Sequence, residues 1–132
     1  MNAPSCLPRL IRTMLLPLSS MALGNDVHAE LIDIAWNASG QFERQLPVPA
    51  GKFAEVCGKL SRGTRVAWSF DADSALDFNI HYHEGKELIF PAKQENIEHA
   101  QGDLAVTATQ DYCWMWTNRS GSAIHMKFAL RK

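Results

Sequence analysis

The sequence predicts an all-β protein, an antiparallel β-sandwich of jelly-roll-like type, and three observations lead there. About seven or eight short segments carry β-forming, alternating residues at spacings of about 8–12 residues. Polar turn clusters such as Asn37-Ala-Ser-Gly40 and Arg119-Ser-Gly-Ser122 separate them. Residues 112–118 are large and apolar on both faces, with Tyr112, Trp114 and Trp116 on one side and Cys113, Met115 and Thr117 on the other. That segment reads as a central strand, buried on both sides. A chain of 132 residues, 46% hydrophobic and 20% charged, suits one globular domain. The net charge of −1 provides no basic field, so nucleic acid is not an expected partner.

The first 29 residues stand apart. Arg9 and Arg12 precede an apolar run at 14–23, and Val27 and Ala29 occupy the −3 and −1 positions of a cleavage site. This reads as a signal peptide, 1–29, ahead of a single domain, 30–132, and places the mature protein in the periplasm or outside the cell. A transmembrane helix needs about 20 apolar residues. The run is shorter than that, so no integral membrane segment is expected once the leader is cleaved. Cleavage leaves two cysteines, Cys57 and Cys113. An even pair in an exported chain favours a disulfide, and two buried free thiols are the competing reading.

Residues 31–36 open the domain as a weakly alternating strand. Residues 41–48 follow, and Pro47 and Pro49 confine that segment to a sheet edge. Residues 51–60 are ambiguous: Phe53, Val56, Cys57 and Leu60 fall at helical spacing, so a short helix competes with a strand. Val66, Trp68 and Phe70 alternate with Arg65, Ala67 and Ser69, and a turn is expected at Asp71-Ala-Asp-Ser74. Leu76, Phe78, Ile80 and Tyr82 then alternate with Asp77, Asn79, His81 and His83, a strong strand signal. Residues 87–91 read as a short strand, 92–102 as a polar loop, and 104–109 as another strand. The chain closes with 123–131, where Ile124, Met126, Phe128 and Leu130 point inward.

His81 and His83 are the leading candidate site. Two positions apart on a strand they share a face, with Cα atoms about 6.6 Å apart along it, and their imidazoles can converge on one ion. Glu84 and His125 are candidates to complete the set, with copper or zinc as the metals suited to imidazole. A solvated strand face is the alternative. No G-x-S-x-G and no phosphate-cradling glycine loop is present.

Two resemblances add to this. His81-Tyr-His83-Glu-Gly-Lys-Glu87 fits H-x-H-x3-E and resembles the first metal motif of the cupins, which implies a barrel with the histidines inside and Glu87 beside them. The second cupin motif is absent. Cys57-x-x-Leu60-x-x-Gly63-x-x-Val66-x-Trp68-x-Phe70, then Asp77-Phe-Asn-Ile80, then Tyr112-Cys-Trp-Met-Trp-Thr-Asn118 is similar to the GOLD domain, the β-sandwich of lumenal cargo receptors, and to small exported bacterial proteins of that sandwich type. That resemblance implies a disulfide between Cys57 and Cys113. The functional expectation is an exported, non-catalytic module that binds a protein or a small ligand. A copper or zinc protein is the alternative and a cupin-like metalloenzyme the third.

Overall fold

Alternating side chains decide both which segments extend and which way they face. The computed structural model describes residues 30–132; the expected signal peptide, 1–29, lies outside the described residues. Seven strands follow in order: β1 (Glu30–Asp33), β2 (Gln41–Val48), β3 (Phe53–Leu60), β4 (Arg65–Glu84), β5 (Glu87–Ala105), β6 (Gln110–Thr117) and β7 (Ile124–Arg131). The sheet order is β1-β3-β6-β4-β7-β2, with β5 paired to β4. Every pairing is antiparallel except β1 with β3, which is parallel.

β4 is the member that two layers share. Its first half, Ala67–Ala72, pairs with β7, and its second half, Asp77–His81, pairs with β6. One layer is therefore β2, β7 and the first half of β4, here the β7 layer. The other is β1, β3, β6 and the second half of β4, the β6 layer. β5 runs beside β4 through both.

The expected turn at 71–74 is replaced by continuous strand. Between Asp71 and Leu76 the pairing with β5 slips, from His99 to Ile97. The extra β4 residues form an irregularity where the strand passes from one layer to the other, so the polar cluster marks a bend and not a reversal. The expected loop at 92–102 is likewise strand. β5 carries a second bulge in which Asn96 adopts φ 55° and its N–H donates to Asp77 Oδ1 at 3.0 Å. Such breaks erase the period-two pattern that would have announced a strand. Residues 51–60 hold no helix. β3 turns Ala54, Val56 and Leu60 inward, and its helical spacing arose from Phe53 and Cys57, which lie on the other face.

Between the layers lies an aromatic core. Trp116 packs against Phe128 with ring centroids 4.6 Å apart, Phe70 against Phe78 at 4.9 Å, and Trp68 against Phe78 at 5.0 Å. Each buried ring contributes about 1.5–3 kcal/mol by removal from water. Gly102 sits directly across from Trp68, and a Cβ there would come within 2.7 Å of the indole. Only glycine lets β5 close over that ring.

Buried polar groups hold the ends together. Asn118, fully buried, donates from Nδ2 to the carbonyls of Val48 and Ser122, and its Oδ1 accepts from Ser120. The Tyr112 hydroxyl donates to the Ala108 carbonyl at 3.0 Å and pins the β5–β6 connection.

Candidate functional site

The outward side of the β6 layer brings the chemistry-bearing residues together. On β3 that side carries Glu55 and Cys57, on β6 Cys113 and Met115, and on β4 Asn79, His81 and His83. Register places Cys57 opposite Cys113 and Cys113 opposite His81, so three strands contribute one row. The cysteines form a disulfide across the ladder, with Cα atoms 4.1 Å apart.

His81 is 6% exposed although it faces away from the core. Its Nδ1 lies 2.8 Å from Asn79 Oδ1 and its Nε2 3.1 Å from Glu55 Oε1. Both ring nitrogens therefore meet acceptors, an arrangement in which an imidazolium donates twice. Phe90 covers the ring from β5 at a centroid distance of 6.1 Å, and Lys93 in turn lies 5.3 Å from the Phe90 centroid. Phe90 reaches this position because β5 bulges between Ile89 and Ala92.

An apolar rim surrounds this centre. The exposed large hydrophobic residues among the described residues are Leu31 at 70%, Leu88 at 48% and Phe90 at 44%. All three lie on this side: Leu31 beside Glu55, Leu88 beside His83, and Phe90 over His81. Five strands separated by about 4.8 Å span about 19 Å from Leu31 to Phe90, with Met115 and the disulfide between. At one end Arg119 pairs with Asp77. The guanidinium hydrogen bond, followed by the Asn96 N–H, outweighs burial and lowers the Asp77 carboxyl below its ordinary 3.8.

Of the expected metal set, His81 and His83 share a face and His125 lies apart. His83 is exposed, with its ring centroid 5.7 Å from that of His81. Glu84 is exposed where β4 turns into β5. His125 lies on β7, 3.7 Å from Asp73. Glu87, the residue a cupin motif would use, is exposed opposite Glu84, and both histidines face out of the sandwich. The neighbours of His81 that sequence reasoning missed are Glu55 and Phe90. Glu55 shares a strand face with Cys57 and reaches His81 only through the register of β6.

On the β7 layer the outward side is an open groove of about 970 Å³, floored by Ser69 and Ala129 and flanked by Glu43, His99, Gln101 and Lys127.

No protein-family model matches the chain, and no curated protein matches its sequence. Solved structures do share the fold. PliG of Aeromonas hydrophila, a periplasmic inhibitor of g-type lysozyme, is 12% identical with a TM-score of 0.55, covering 79% of this chain and 96% of that one. PliG of Salmonella Typhimurium, described in the same terms, is 7% identical at 0.55, covering 78% and 98%. The pre-peptidase C-terminal domain of a Bacillus anthracis collagenase is 11% identical at 0.58, covering 81% and 100%. At such identities the likeness is one of fold. The fold shared is a small β-sandwich-like one, and none of these three is described as a GOLD domain. Among the described residues no helix is long and apolar enough to cross a membrane.

Proposed function

We propose that this protein is an exported, non-catalytic binding module that engages a protein partner through the outward side of its β6 layer. The observation that carries the reading is that Leu31, Leu88 and Phe90, the exposed large hydrophobic residues among the described residues, all lie on one face, to either side of the buried His81 and Cys113. Exposed apolar side chains gathered on one face mark interaction sites, whereas scattered ones do not. Export is supported by the signal-peptide pattern at 1–29 and by the periplasmic inhibitors that share the fold. Those inhibitors bind an enzyme and are not themselves described as enzymes, which favours the non-catalytic reading.

A photo-activated cross-linker at Phe90, compared with one at Gln101 in the opposite groove, tests this in exporting cells. A discrete heavier adduct from position 90 and none from 101 is the expected outcome. Adducts only from 101 would move the binding face to the β7 layer. A g-type lysozyme is the first purified partner to titrate, and Phe90→Glu together with Leu88→Glu should abolish any inhibition that the unmodified protein gives.

A further inference from the structure

Beneath the apolar rim, the same face holds a set of side chains with ligand chemistry that protein binding does not need. One ligand atom each from Glu55, His81 and Cys113 lies within 4.8 Å of the others. Cys57 brings a second sulfur, now bonded to Cys113. We propose that reduction of the Cys57–Cys113 bridge converts this cluster into a tetrahedral site for a zinc-class divalent cation. The ligands are the thiolates of Cys57 and Cys113, His81 Nε2 and a Glu55 carboxylate oxygen.

The distances favour it. Ligands bound at about 2.0–2.3 Å around a tetrahedral zinc stand about 3.3–3.8 Å apart. From the 4.8 Å limit the Cys113 sulfur has to approach by about 1–1.5 Å, His81 Nε2 and Glu55 Oε1, now 3.1 Å apart, open slightly, and the two sulfurs separate on reduction. The scaffold is rigid where it matters: Cys57, Cys113 and His81 are consecutive register partners on three hydrogen-bonded strands. His81 is oriented as a metal ligand is. With Nδ1–H donating to Asn79 Oδ1, Nε2 is left facing Glu55 and free to ligate. In the disulfide form Nε2 and the Glu55 carboxylate face each other at 3.1 Å, and the cation binds between them and the two sulfurs. Paired thiolates with one imidazole and one carboxylate suit zinc chemistry better than magnesium or calcium chemistry.

The chemistry balances. A dithiol reductant gives two electrons and two protons to the sulfur–sulfur bond and itself becomes a disulfide. Cation binding then displaces the protons from both thiols, and any carried by His81 Nε2, to solvent. The site thus reports the redox state of its surroundings: closed by a covalent bond in oxidising conditions, open to metal in reducing ones. His83, Glu84 and His125 have no part in it.

Cobalt(II), a spectroscopic stand-in for zinc, tests the site on protein treated with a phosphine reductant in the absence of oxygen. One equivalent should produce thiolate-to-cobalt charge-transfer absorption and the visible bands of tetrahedral cobalt, both bleached by zinc. The oxidised protein should produce neither. Asn79→Leu should weaken cobalt binding by about 10–100-fold, and His81→Ala and Glu55→Gln by at least as much. Cys57→Ser, which has no bridge to reduce, should bind cobalt through the single Cys113 thiolate with about half the charge-transfer intensity. Absence of charge-transfer bands from both the reduced protein and Cys57→Ser overturns the proposal. So does equal affinity in His81→Ala and Glu55→Gln, the behaviour of an unfolded chain that binds through its cysteines alone.

Discussion

One strand lines both outward faces of this sandwich, yet the two faces differ. Along the first half of β4 the outward residues are Ala67, Ser69 and Asp71, small or polar, and Ser69 and Asp71 line the open groove of the β7 layer. Along the second half they are Asp77, Asn79, His81 and His83, and three of these four engage partners: Arg119 for Asp77, Glu55 for His81, and His81 for Asn79. The first face is built to stay wet. The second is tied down by a disulfide, the shielded His81–Glu55 contact and flanking apolar side chains. The core requires neither arrangement, since Phe78, Ile80 and Tyr82 already fill the inward side. A face that orders itself without being needed by the core is where a function is best sought.

Removing the bridge should separate the faces most. Cys57→Ala with Cys113→Ala is expected to cost about 2–5 kcal/mol, read from the urea midpoint at unchanged slope. A loss below that range would mean that the β6 layer is held by packing alone. Next comes the His81–Glu55 contact. His81→Leu leaves the Glu55 carboxylate shielded without its partner and should cost about 1–3 kcal/mol. His81→Leu with Glu55→Leu should recover most of it, because two apolar groups replace the pair; a double variant as unstable as the single one would show that shape, not charge, is the issue. On the β7 layer, Ser69→Ala and Gln101→Ala should each fall within about 0.5 kcal/mol of the parent. A large loss at either position would erase the contrast between the faces.

The smallest expected effect lies at the exposed end of the β6 layer. Arg119 lowers the folded Asp77 pKa, so its contribution is present above the ordinary carboxylate value of 3.8 and disappears as pH falls through the folded value. Arg119→Ala should therefore be slightly less stable near neutrality and indistinguishable from the parent in strong acid. Solvent screening keeps the difference small. Parallel stability curves across that pH window would assign the effect to packing.

Much of this was legible in the residues. Period-two alternation located β2, β6, β7 and both halves of β4, and Pro47 placed β2 at an edge, as the sheet order has it. What failed did so for local reasons. Asp71-Ala-Asp-Ser74 has turn composition because a strand crossing between layers exposes Asp71, Asp73 and Ser74. Residues 92–102 look like a loop because β5 is covered on one side only and its bulges break the alternation. The Cys57–Cys113 bridge was one of two open readings, and the structure contains it. His81 was singled out, but its partner was not. Glu55 lies on a strand that reaches His81 through β6, and no spacing within the chain encodes that adjacency. Glu84 and His125 were named for residue type, and the fold sends them elsewhere.

The shared strand has a consequence for how the chain acquires this shape. β4 is a member of both layers, so neither can complete its ladder before the other half of that strand is committed. Its partners also lie far along the chain, with β7 following β4 only after β5 and β6 have been laid down. Non-local pairing of this kind places folding on the millisecond-to-second side of small-domain rates. Amide protons of Val66–Ala72 and of Phe78–His81 should then exchange with deuterium through one common opening, at the same free energy, despite belonging to opposite sides of the molecule.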